Sequence, residues 1–134
     1  MNLNKVKVFN LEIKKNPKGD LLKFLNKKDK HYKGFGEIYF SDIKKPHVKG
    51  WNLHKNFFCQ ITVCFGSVKI TIKSKIGNKR KIVNLSTKKP KMIIIPPNLW
   101  FSIRSKTNYS RIVNVLNGVH NQKETLKKLI DNKT

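Results

Sequence analysis

The chain reads as a series of short stretches in which apolar and polar residues alternate. A period of two marks a strand with one buried face, because successive side chains point to opposite sides. "KVKVFNLEI" (5–13) alternates in this way, and "VKITIK" (68–73) does so most cleanly. "GEIYFSDI" (36–43), "VKGWNLH" (48–54), "KIVNLS" (81–86), "LWFSIR" (99–104) and "RIVNVLNGV" (111–119) are strand-length runs rich in aromatic and β-branched residues. "FFCQITVCF" (57–65) and "KMIIIPP" (91–97) are apolar nearly throughout. Turn residues separate these runs: Pro46, Gly66-Ser67, Gly77-Asn78 and Pro96-Pro97. Strands recurring about every 8–12 residues, with no strand–helix alternation, predict an all-β sandwich or barrel.

Two segments depart from the pattern. The stretch 18–36 is read as strand and loop. In "NQKETLKKLIDNK" (121–133), Leu126, Leu129 and Ile130 fall at helical spacing behind Asn121, with Glu124 three residues on, which predicts a short C-terminal helix. The 134 residues suit a single domain, 1–134, with one core.

Strand parity gives the first hint of a site. In 57–65, Phe57, Cys59, Ile61, Val63 and Phe65 share one face, and Phe58, Gln60, Thr62 and Cys64 the other. The first set suits the space between two sheets or between subunits. The second suits either a ligand cavity or an ordinary polar outer face. In "KGWNLHK" (49–55), Asn52 and His54 are two apart and face the same way. Glu37 and Tyr39 share a face of their strand in the same manner.

Charge changes the picture only in part. Lys and Arg number 30 against 7 Asp and Glu, a net charge of +23. Such a surface attracts anions, nucleic acid included. Yet the cations are almost all lysines spread along the chain, whereas bidentate phosphate and base recognition favours arginine. No ladder of exposed aromatics of the kind used by single-strand binders is evident. A dispersed, solvated cationic face that draws in an anionic small substrate fits better. Cys59 and Cys64 lie five apart on one strand, on opposite faces, so they do not pair and are expected as buried free thiols. No apolar run reaches the roughly 18–20 residues of a membrane span, and the start lacks a signal-peptide core, so a cytoplasmic protein is expected.

The run "GEIYFSDIKKPHVKGWNLHK", a strand ending in Gly66, and "IIIPPNLWFSI", in that order, resemble the cupins that act on nucleotide-linked sugars. The groups most similar are the deoxythymidine-diphosphate (dTDP) 4-keto-6-deoxysugar 3,5-epimerases and 3,4-ketoisomerases. The resemblance covers roughly residues 36–125. It implies a double-stranded β-helix, or jelly roll, in a homodimer, a nucleotide-diphosphate sugar as substrate, and a role in glycan or polysaccharide synthesis. Metal-binding cupins carry a His-x-His, a Glu and a third His. The matching positions here are Asn52, His54, Gln60 and Phe101, which leaves one good ligand, so no metal and no other cofactor is expected.

The chemistry implied is removal of a proton beside a ketone and its return to the same or the next carbon. It needs a base, an acid and help for the enolate oxygen. The family's base belongs to an Arg-Gly-x-His run, which here reads Lys49-Gly50-Trp51-Asn52, and an amide is no base near neutral pH. His54, where the ketoisomerases have a second histidine, then becomes the candidate base, with Asn52 donating to the keto oxygen and Lys49 binding diphosphate. The epimerases return the proton from a late-strand tyrosine, and Asn114 falls near that place. His120 is a second acid–base candidate. Trp100, Gln60, Glu37 and Tyr39 complete the candidate substrate contacts. Two other readings remain: a cupin that binds a sugar nucleotide or partner enzyme without turnover, as the Asn52 replacement suggests, and a basic nucleic-acid-binding β-barrel.

Overall fold

In the computed structural model, residues 3–130 are described. After a 3-10 turn at Leu3–Lys5, the described chain forms strands throughout: β1 (Lys7–Asn10), β2 (Ile13–Lys14), β3 (Leu21–Leu22), β4 (Glu37–Lys44), β5 (Val48–His54), β6 (Cys59–Phe65), β7 (Ser67–Ser74), β8 (Arg80–Ser86), β9 (Lys91–Ile95), β10 (Leu99–Ser105), β11 (Tyr109–Leu116) and β12 (Thr125–Lys127). Two five-stranded antiparallel sheets, ordered β1-β9-β6-β11-β4 and β12-β5-β10-β7-β8, face each other, and β2–β3 is a small separate hairpin. No helix among the described residues is long and apolar enough to cross a membrane.

The alternation along each strand places the core. Ile61, Val63, Ile93 and Ile112 of the first sheet form one buried cluster with Ile70, Ile72, Leu85 and Leu99 of the second. Burying each such side chain contributes about 1.5–3 kcal/mol. Of the apolar parity set, Cys59, Ile61 and Val63 fill the space between the sheets, whereas Phe65, at the end of β6, is 56% exposed. Cys59 lies in this core and Cys64 is exposed, so only one of the two thiols is buried as expected. Their odd spacing, which excludes pairing, also sends Cys64 to the outer face.

One irregularity sets the site. Asn52 pairs with Phe101, whereas Gly50 pairs with Ser102. Trp51 is thus an extra residue in β5, a β-bulge. The bulge resets the strand's parity, so Lys49 and Asn52, three apart, line the same cavity as Ile103 and Phe101. Gly50 makes this possible: its φ is +139°, and a Cβ there would lie 2.8 Å from the Phe101 carbonyl oxygen and the Ser102 backbone.

The C-terminal segment differs from the sequence reading. Asn121 does act as a cap, its Oδ1 accepting from the N–H of Lys123 and of Glu124. Only a turn forms at 122–124, and among the described residues no helix follows it. Thr125, Leu126 and Lys127 pair instead with His54, Leu53 and Asn52, and Lys128 and Trp51 exchange both backbone hydrogen bonds. The open edge of β5 offers a ready row of backbone partners, which outweighs a helix that would have to stand alone. Residues 131–134 of the expected helix lie outside the described residues.

Gly50→Ala should lower the unfolding free energy by roughly 1–3 kcal/mol from backbone strain alone, with the steric contact adding to it. Denaturant unfolding checks this.

Candidate functional site

The cavity between the sheets opens beside β5, β10, β11 and β12 and holds about 150 Å³. Lys49, Asn52 and His54 enter from β5, Tyr39 and Ser41 from β4, Asn114 from β11, and Thr125 from β12. His120 stands at its mouth, where a second space of about 440 Å³ is lined by His120, Gln122, Thr125, Leu126 and Lys127. The shared residues His120, Thr125 and Lys127 join the two.

At the centre is Glu124. Its Oε1 lies 2.6 Å from His54 Nδ1, and both side chains are almost completely buried. Its Oε2 accepts the backbone N–H groups of Asn56 and Phe57 at 3.0 and 3.3 Å. Thr125 Oγ1 donates to Oε1 at 2.9 Å. Burial pushes the Glu124 carboxyl up, but the bonds from the Asn56 N–H, His54 and Thr125 outweigh it and hold the group below its ordinary value.

This wiring fixes protons. A carboxylate only accepts, so His54 carries a proton on Nδ1, and in the neutral ring Nε2 is then the lone-pair nitrogen. No described residue hydrogen-bonds that Nε2, and the ring lines the cavity. The Thr125 hydrogen is committed to Glu124, so its oxygen accepts from His120 Nδ1, 3.1 Å away. One carboxylate therefore sets the tautomer of both histidines. The two rings stand edge to face with centroids 6.3 Å apart, and Phe101 stacks against His54 with centroids 6.2 Å apart.

The opposite wall carries a second ordered pair. Asn114 Oδ1 accepts the N–H of Gln60, so its amide nitrogen must be the atom 2.8 Å from the Tyr39 hydroxyl, to which it donates. The phenol keeps its own hydrogen for the cavity. Burial and the neighbouring Cys59 push Tyr39 up to about 12, so it stays protonated near neutral pH. Lys49 Nζ donates to Ser41 Oγ at 2.9 Å. Glu37 accepts the backbone N–H of His120 and so holds the loop rather than touching the cavity.

Of the residues read from sequence, His54, His120, Lys49, Asn52 and Tyr39 meet in this space. Gln60 and Trp100 do not. Gln60 is buried on the outer face of β6, where its side chain accepts from Lys33 N–H and donates to the carbonyls of Gly34 and Val115. Thr62 on the same face donates to the Lys91 carbonyl. The loop at Lys33 and Gly34 thus covers Gln60, and neither Gln60 nor Thr62 lines the cavity at His54. Trp100 stands on the opposite face of β10 from Phe101 and Ile103, away from the cavity. Glu124 and Thr125 were missed because "NQKE" was read as a helix start. The signal available was scarcity: Glu124 is one of only seven carboxylates.

His54, His120 and Glu124 are also the described residues that could hold a metal ion, their ligand atoms lying within 4.8 Å of one another. Both Glu124 oxygens are already engaged by hydrogen-bond donors, which is the pattern of a carboxylate–histidine dyad.

Solved structures share the fold. A dTDP sugar isomerase from Desulfovibrio desulfuricans G20 superposes with a TM-score of 0.90 at 20% identity, over 96% of this chain and 87% of that one. QdtA, a sugar 3,4-ketoisomerase from Thermoanaerobacterium thermosaccharolyticum solved with TDP, gives 0.80 at 19%, over 93% and 89%. ChmJ, a 3'-monoepimerase from Streptomyces bikiniensis solved with dTDP-quinovose, gives 0.82 at 10%, over 91% and 68%. No curated protein matches the sequence. The fold is the expected cupin jelly roll. The family model described as FdtA, WxcM-like, C-terminal matches residues 4–129, and the chain belongs to that family.

Proposed function

We propose that the chain is an isomerase of nucleotide-linked 4-keto-6-deoxysugars, with dTDP as the nucleotide, that works without a metal. The observation that carries this reading is the buried Glu124–His54 pair, which leaves a basic ring nitrogen facing a cavity that also holds a protonated tyrosine. The inner space takes the sugar ring and the outer space the nucleotide, with Lys49 and Lys127 as point charges for the diphosphate. Turnover takes place in the cytoplasm and serves glycan synthesis.

In the first step His54 Nε2 removes the proton from the carbon beside the ketone. The electrons of that C–H bond form a C=C bond, and the carbonyl oxygen becomes an enolate. Asn52 donates to this oxygen and Tyr39 supplies a proton to it. In the second step the hydroxyl on the deprotonated carbon loses its proton to the tyrosinate and becomes the new carbonyl. The old carbonyl carbon takes a proton back from the histidine. Atoms balance, and each group ends as it began. The 3,4-ketoisomerase form is favoured because Asn114 occupies the place of the epimerases' proton-returning tyrosine and has no proton to give.

A homodimer belongs to the same proposal. Ile38 and Phe40, on the outer face of β4, are 50% and 66% exposed, and β4 is the last strand of its sheet among the described residues. An exposed apolar face beside a strand edge is a surface that a second copy can cover. Phe40→Glu should shift the sedimenting species from dimer to monomer; a wild-type monomer would refute this.

Turnover of dTDP-4-keto-6-deoxyglucose in heavy water, followed by NMR, should move the carbonyl to C3 and place deuterium at C4. Deuterium at C3 with the ketone unmoved would mean epimerisation. Binding with neither change would leave a non-catalytic cupin. His54→Ala should cost about 10²–10⁴-fold in kcat, the range of general acid–base catalysis.

Glu124→Gln should cost about 10²-fold or more, because the amide donates to Nδ1 and drives the proton onto Nε2. The same substitution tests stability. The fold favours the Glu124 carboxylate, so its contribution is present above the ordinary value of 4.5 and fades as pH falls through the lower native value. Wild-type stability should therefore fall more steeply than that of Glu124→Gln as pH drops below 4.5, read by urea unfolding at stepped pH.

A further inference from the structure

A larger cavity lies on the outer face of the first sheet. It holds about 340 Å³ and shares no lining residue with the cavity at His54. Lys7 and Ile94 are cross-strand partners on β1 and β9 and form its floor with Pro96 and Pro97. Lys5, Lys33 and Phe58 build the walls, and His31 closes one end.

The walls are held in place. The Lys33 backbone N–H donates to the buried Gln60 side chain at 3.0 Å, and the Phe58 N–H donates to Asn117 Oδ1 at 2.8 Å. His31 stacks on Phe9 with ring centroids 4.0 Å apart. Lys33 Nζ sits 4.9 Å from the centre of the Phe58 ring. The charge is one-sided: three lysines line the space, and among the described residues no carboxylate lines it and none of the three makes an ion pair. Three like charges around one apolar floor repel one another, and that cost is relieved when an anion enters.

An inorganic anion would use the lysines and leave the apolar floor wet. A ligand that uses both parts carries phosphate at one end and a flat ring at the other. Lysine ammonium groups serve phosphate as point charges. Phe58 and Pro97, both partly exposed, offer flat apolar surfaces on which a base can stack. We propose that this outer cavity is a second ligand site, for a nucleoside phosphate, built on the opposite side of the sheet from the catalytic cavity. Gln60 then acts as the strut that fixes its wall.

Adenosine diphosphate is a suitable probe, titrated into the full chain while NMR follows the Phe58 and His31 ring signals. These signals should shift saturably. Inorganic pyrophosphate should bind at least about 10-fold more weakly, because stacking of a base contributes about 1–3 kcal/mol. Lys7→Glu and Lys33→Glu should each weaken the titration about 10-fold or more by reversing one charge beside the phosphate. Phe58→Leu, which keeps the site apolar, should weaken adenosine diphosphate but not pyrophosphate. Unshifted Phe58 and His31 signals, pyrophosphate binding as tightly as the nucleotide, or affinity unchanged in both lysine variants would overturn the proposal.

Discussion

A single buried carboxylate organises the reactive end of this protein. Glu124 takes four hydrogen bonds on its two oxygens, from His54, Thr125 and the backbone of Asn56 and Phe57. A buried charge is stable only when so satisfied. The same bonds that make the charge tolerable tie β12 to β5 and to the loop after it. They also hold His54 with one nitrogen committed and the other free. Removing the carboxylate would thus loosen the edge of a sheet and change the chemistry of a base at once.

The site compensates for its own sequence departures by geometry. The resemblance put a base at Asn52 and an acid at a late tyrosine; neither is present. In the proposed mechanism the base comes from two residues further along β5, as His54, and the phenol from β4, as Tyr39, which Asn114 supports by a hydrogen bond. The glycine bulge at Gly50 keeps Lys49 and Asn52 on the same wall despite their odd spacing.

How much of this was legible depended on the range of the interaction. The strands β4 to β11 follow from alternation and turn residues, which are local signals, and the core face of β6 follows from parity. His54, Asn52 and Tyr39 were visible because strand parity and family pattern both act over short distances. Glu124 was not, since its partner is 70 positions away and its local context spelled a helix cap. That cap formed, yet the strand edge of β5 decided what came next, a tertiary effect that local propensity does not contain. Gln60 failed in the other direction: its parity was right, but parity does not say which face a distant loop will cover.

The central claim is that Glu124 holds His54 as the Nδ1–H tautomer, with Nε2 free as the base. Two-bond proton–nitrogen NMR on the ¹⁵N-histidine-labelled protein near neutral pH reads this directly. The account predicts that the neutral His54 ring carries its proton on Nδ1, switching to Nε2 in Glu124→Gln. A wild-type His54 protonated on Nε2 would contradict it.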